Sequence, residues 1–79
     1  MIKSKITRLA IVGAGGATKN LIGSITPSSS LSNKYKIIGL FDDDDNKINT
    51  SIEGYKVLDK ISNISKHADF FDSIVIAVP

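Results

Sequence analysis

The stretch Leu9-Ala10-Ile11-Val12-Gly13-Ala14-Gly15-Gly16-Ala17-Thr18 decides the fold. Four consecutive apolar residues ending at a glycine fit a strand buried on both faces. The glycines make a turn. After it Ala17, Leu21, Ile22 and Ile25 fall at i, i+4, i+5 and i+8, which is helical spacing. That helix, residues 17 to about 25, stops before Thr26-Pro27, because the residue ahead of a proline is pushed out of helical conformation. A Ser-rich connector over 27–33 leads to a second strand over 35–41, whose apolar content is Ile37, Ile38, Leu40 and Phe41. The strand must end at Asp42-Asp43-Asp44-Asp45, since four adjacent carboxylates cannot lie inside a core. A loop then runs through Asn46 to Glu53-Gly54.

Residues 55–58 alternate and predict a short edge strand. Ile61, Ile64 and Ala68 at i, i+3 and i+7 predict a helix over 59–68, with Asp59 or Ser62 as its N-cap. Ser73-Ile74-Val75-Ile76-Ala77-Val78 predicts a last apolar strand, ended by Pro79. The order is β-α-β-β-α-β. Strands apolar on both faces and alternating with helices indicate an α/β fold with a parallel sheet. Right-handed crossovers and the doubly wound strand order 3-2-1-4 are expected. The 79 residues read as one incomplete domain.

Composition excludes several classes. With 42% hydrophobic and 23% charged residues, the chain is neither disordered nor a coiled coil. It has no Cys, so it has no disulfide framework and no thiolate metal site. No apolar run approaches the roughly 20 residues of a membrane helix, and the run after the basic start is too short for a secretory signal. A cytoplasmic protein is expected. Residues 1–36 hold six cations and no acid, whereas 37–79 hold four Lys and all eight acids, for a net +2. The basic front half suits a phosphate-bearing ligand. It lacks the interleaved aromatics and motif spacing of a nucleic-acid binder.

A glycine turn directly after a buried strand and opening a helix is the context of a dinucleotide fingerprint. Gly13 permits the sharp turn, and Gly15 leaves room for a phosphate to approach the backbone. Gly16 and Thr18 lie at the helix N-terminus, where free N–H groups and the dipole favour an anion, with Lys19 adding charge nearby. The fingerprint G-x-G-x-x-G is matched in part, because Thr18 replaces the third glycine; its hydroxyl is a candidate phosphate donor. Asp42, 29 residues after Gly13, stands at the carboxyl end of the second strand, where an acid accepts hydrogen bonds from ribose hydroxyls. An acid there favours NAD over NADP. The blander alternative is a glycine turn that only closes a βα unit.

Asp43, Asp44 and Asp45 read as a solvated charge run rather than a magnesium site. His67 reads as a surface helix residue. Tyr35 and Tyr55 read as packing residues. No catalytic constellation is visible, and no metal site is expected. The candidate ligand is NAD, CoA or a nucleotide sugar, held by Gly13, Gly15, Gly16, Thr18 and Asp42.

Four strings carry a family resemblance: Leu9-Ala10-Ile11-Val12-Gly13-Ala14-Gly15-Gly16, Tyr35-Lys36-Ile37-Ile38-Gly39-Leu40-Phe41-Asp42-Asp43-Asp44, Ile52-Glu53-Gly54-Tyr55-Lys56-Val57-Leu58 and Asp72-Ser73-Ile74-Val75-Ile76-Ala77-Val78-Pro79. Together they resemble the Rossmann-like, CoA-binding-type domain of bacterial polysaccharide-biosynthesis proteins, the nucleotide-sugar epimerases and dehydratases. The resemblance implies a nucleotide-binding module of such an enzyme, truncated and inactive alone. Parts of the pattern are also similar to NAD(H)-sensing redox repressors and to sugar oxidoreductases. The Gly-Ala-Gly-Gly turn is similar to the N-terminal domain of sugar O-acyltransferases, although the His that usually follows there is absent. The apolar last strand, with one edge unneighboured in sequence, predicts self-association or a missing domain as partner.

Overall fold

The computed structural model describes residues 6–25 and 34–77. The elements are β1 (Thr7–Val12), α1 (Gly16–Ser24), β2 (Tyr35–Phe41), a 3₁₀ turn (Asp45–Lys47), β3 (Ser51–Ile52), β4 (Tyr55–Asp59), a 3₁₀ segment (Ile61–Phe70) and β5 (Ser73–Ile76). The sheet order is β3-β4-β2-β1-β5. β1 pairs in parallel with β2 and β5, and β2 with β4. The fold is thus α/β with a Rossmann-like, mostly parallel sheet. Without the two-residue β3, the order is the expected 3-2-1-4.

β3 is an addition to the expected elements. It pairs antiparallel with β4 through Ile52 and Tyr55. The turn between them, Glu53-Gly54, has positive φ at both positions (51° and 88°), as a type I′ hairpin turn requires. β4 is therefore not the edge strand expected from residues 55–58. It lies inside the sheet, and Val57 is fully buried.

One face of the sheet carries the main core. Leu9, Ile11, Ile37, Leu40 and Val57 cluster there with Ala14 and with Ile22 and Ile25 of α1. Side chains alternate along a strand, so Ala10 and Phe41 face the other side, where both are fully buried. Phe41 meets the His67 ring at 5.4 Å and the Phe71 ring at 6.3 Å.

The second helix differs from expectation in its winding. It is a 3₁₀ segment, and its repeat is three residues rather than three and four. Ile61, Ile64 and His67 are half-buried, while Ala68 is exposed; in a 3₁₀ helix, residues three apart eclipse and share a face. Ile, Ser and Asn are weak α-formers, because branched side chains lose rotamers and short polar ones compete with the backbone. The N-cap is Lys60, without a side-chain bond, rather than Asp59 or Ser62. Asp59 ends β4 instead and receives Lys60 N at 2.7 Å and Asn63 Nδ2 at 3.0 Å on Oδ1.

β5 takes the edge place that the order 3-2-1-4 gives it and spans Ser73–Ile76, but one face of this apolar strand is not buried. Ile74 is 47% and Ile76 67% exposed. β5 has β1 on one side only, and no element among the described residues covers that face. Thr26-Pro27, the 27–33 connector, Val78 and Pro79 lie outside the described residues. Among those described, no helix is long and apolar enough to cross a membrane.

Candidate functional site

β1 and β2 run side by side in parallel, so their carboxyl ends deliver the glycine turn and Asp42 to one place. Ligand crevices in open α/β sheets form at that edge. A cleft of about 320 Å³ is walled there by residues 13–17, Asp42, Lys47 and Ala77.

Gly13 has φ +112°, and a Cβ on it would lie 2.7 Å from the Ala77 carbonyl oxygen. The backbone itself therefore demands glycine at this position. Gly15 and Gly16 are different. A Cβ on either would meet nothing within 4 Å, and Gly15, the N-cap of α1, has an ordinary extended φ of −114°. Among the described residues nothing requires glycine at these two positions, and the space beside them is open. With Gly15 as N-cap, α1 has no side-chain cap bond to its first N–H groups, and its first two residues line the cleft.

Thr18 occupies the third-glycine position but does not present its hydroxyl to the cleft. It is fully buried, and its Oγ1 donates to Gly13 O at 2.8 Å. The expected role at a phosphate is replaced by a bond that closes the turn from inside, because the hydroxyl's nearest acceptor is the carbonyl of the same turn.

Asp42 is 19% exposed and clamps the turn. Its Oδ2 accepts Ala14 N at 2.9 Å and its Oδ1 accepts Asp44 N at 2.9 Å. A carboxylate offers about four acceptor positions, so each oxygen keeps capacity for a ligand hydroxyl. Lys47 completes the clamp. Its Nζ donates to Ala14 O at 3.2 Å and lies 3.9 Å from Asp42 Oδ2. Ala14, between two glycines, is thus held at both its N–H and its C=O.

The sequence reading missed Lys47, and no spacing rule marks it. The cation singled out there, Lys19, pairs instead with Glu53 at 3.8 Å and lines a separate cavity with Tyr55 and Ile22.

The rest of the acidic run is exposed, as a solvated charge run should be, and each of its carboxylates also makes one bond at the surface. Asp43 Oδ1 accepts Ile61 N at 2.9 Å, Asp44 Oδ1 accepts Asn46 N at 2.9 Å, and Asp45 pairs with Lys60 at 2.9 Å. Among the described residues, no group of three or more His, Asp or Glu side chains is arranged to hold a metal.

His67 is half-buried against Phe41 rather than on an open helix surface. Its Nε2 lies 3.0 Å from Asp59 Oδ2. Hydrogen bonds from Asn63, His67 and the Lys60 N–H hold the Asp59 carboxyl down at about 2. Of this network His67 lines a separate, mostly apolar groove, with Arg8, Ile38, Leu58 and Phe70.

The family described as PglD N-terminal domain matches residues 8–78. The chain belongs to that family. Its match runs from the second residue of β1 to beyond β5 and includes every cleft residue. The membership makes the chain a Rossmann-like, nucleotide-sugar-related domain, and it agrees with the acyltransferase resemblance of the Gly-Ala-Gly-Gly turn. No curated protein and no solved structure gives a significant match to the chain.

Proposed function

We propose that this domain binds the nucleotide part of a nucleoside-diphosphate sugar and serves as the N-terminal module of a sugar-modifying enzyme. One observation carries the reading: the glycine turn and the Asp42 carboxylate wall the same cleft, which is open beside Gly15 and Gly16. Phosphate oxygens would meet the uncapped N–H groups of α1. A ribose hydroxyl would donate to the spare lone pairs of Asp42. NAD and CoA carry the same diphosphate and compete for the cleft, and the Asp42 charge disfavours a 2′-phosphate.

The family match favours acyl transfer to the sugar, because PglD is a sugar-modifying acetyltransferase. The resemblance to epimerases and dehydratases of polysaccharide biosynthesis leads to the same ligand class with another reaction. The cleft lining consists of Gly, Ala, Asp42 and Lys47, which are groups that bind and orient. His67 and Asp59 do not line it, so the chemical step is assigned to groups elsewhere.

The test is an amide NMR titration of the labelled chain with UDP-glucose, NAD, NADH and CoA added separately. Shifts confined to residues 13–17, Asp42 and Lys47 are expected, strongest with UDP-glucose. A dispersed spectrum that none of the four ligands moves would refute the nucleotide reading.

A further inference from the structure

We propose that Lys47 binds the ligand's diphosphate, releasing the Ala14 carbonyl as the ligand enters. The inference rests on the nucleotide reading above and deepens it.

The argument begins with charge. Any diphosphate placed over residues 13–17 comes close to the Asp42 carboxylate, which repels it. A cation in the same cleft must offset that repulsion, and Lys47 is the only one among the residues lining it. Other basic side chains are engaged elsewhere. Arg8 forms a two-pronged pair with Asp72 at 3.0 and 3.2 Å, Lys60 holds Asp45 at 2.9 Å, and Lys19 reaches Glu53.

The second part is how firmly the base of Lys47 is held. It ends a 3₁₀ turn whose N-cap, Asp44, accepts Asn46 N through its side chain. Lys47 N donates to Asp44 O at 2.9 Å, and Lys47 O accepts both Thr50 N at 3.0 Å and Thr50 Oγ1 at 2.5 Å. The backbone is thus fixed at the cleft rim while the ammonium group reaches across to the glycine turn.

The third part is how weakly that ammonium is held. Its side chain is 40% exposed. Its carbonyl bond is long for a charged donor at 3.2 Å, and its carboxylate distance is 3.9 Å. An ammonium has three donors, and charge-assisted bonds to phosphate are shorter and stronger than a bond to a neutral carbonyl. A diphosphate therefore competes well for Nζ. The Ala14 N–H stays on Asp42, so the turn keeps one of its two restraints when the lysine moves.

The experiment is calorimetric titration of wild type, Lys47→Met and Lys47→Arg with UDP-glucose over a series of KCl concentrations. Lys47→Met should bind about 10- to 100-fold more weakly, with a flatter salt dependence, since one exposed ionic contact is gone. Lys47→Arg should restore most of the affinity and the salt slope. A role confined to bracing the turn would leave the salt slope unchanged in Lys47→Met. That outcome, or affinity within twofold of wild type, overturns the proposal and leaves the nucleotide reading standing. Wild type that binds neither UDP-glucose, NAD nor CoA overturns both. Should Lys47→Met lose its dispersed amide spectrum, Lys47→Gln carries the same comparison.

Discussion

Replacing the turn glycines one at a time should separate folding from binding. At Gly13 the backbone sits at φ +112°, and a methyl would stand 2.7 Å from the Ala77 carbonyl oxygen. A side chain in so sparsely populated a region costs about 1–3 kcal/mol. The clash adds to that, because the obstacle is backbone: Ala77 is bound to β1 through its N–H to Val12 O at 2.9 Å, so relief means shifting that junction. Gly13→Ala should therefore lose about 3 kcal/mol or more. A domain of this length has roughly 4–12 kcal/mol in total, and each kcal/mol moves Tm by roughly 4–8 °C, so a fall of roughly 12–24 °C is expected. Gly15→Ala meets nothing within 4 Å and should stay within about 0.5 kcal/mol of wild type. Its methyl nevertheless enters the space assigned to phosphate, and UDP-glucose affinity should drop about tenfold or more. Circular dichroism melts and calorimetric titration read the two quantities. Gly13→Ala melting with wild type, or Gly15→Ala binding as wild type, would refute this division of labour between the glycines.

Three further outcomes are expected. Thr18→Val keeps the shape but removes the buried donor to Gly13 O, and urea titration should show a loss of about 1–3 kcal/mol; ligand affinity of the folded variant should be unchanged, whereas a phosphate-binding hydroxyl would weaken it. The Asp59 carboxyl is held at about 2 by Asn63, His67 and the Lys60 N–H, so its contribution to stability is present above the ordinary carboxylate pKa near 3.9 and is lost as pH falls toward 2; the acid limb of a stability–pH curve between 4 and 2 should flatten in Asp59→Asn, and an unchanged limb would contradict the network. Exposed Ile74 and Ile76 on the edge strand should drive concentration-dependent association, seen by sedimentation and abolished by Ile76→Lys; a wild-type monomer at high concentration would contradict that.

The parallel core was legible because its signals are local. Residues 9–12 and 37–41 are apolar on both faces, and a sheet covered on both sides suits such strands. The turn glycines and Asp42 were legible as a pair, since the carboxyl ends of adjacent parallel strands must lie together. The segment Ile61–Phe70 reads as an ordinary helix through Ile61, Ile64 and Ala68, whereas its three-residue winding half-buries Ile61, Ile64 and His67. Its burial depended on which residues met Phe41, and that is settled across the sheet. β3 was hidden because two residues carry no periodicity.

The amino-acid order alone specified a βα unit, a glycine turn opening a helix, and an acid at the end of the next strand, because each depends on neighbours in sequence. Tertiary structure decided what those groups face. It turned the Thr18 hydroxyl inward to Gly13, sent Lys19 to Glu53 and brought Lys47, 33 residues away, onto the Ala14 carbonyl. Hydrogen bonds and ion pairs form between groups that the packed strands bring within about 3 Å, and a linear sequence carries no such distances.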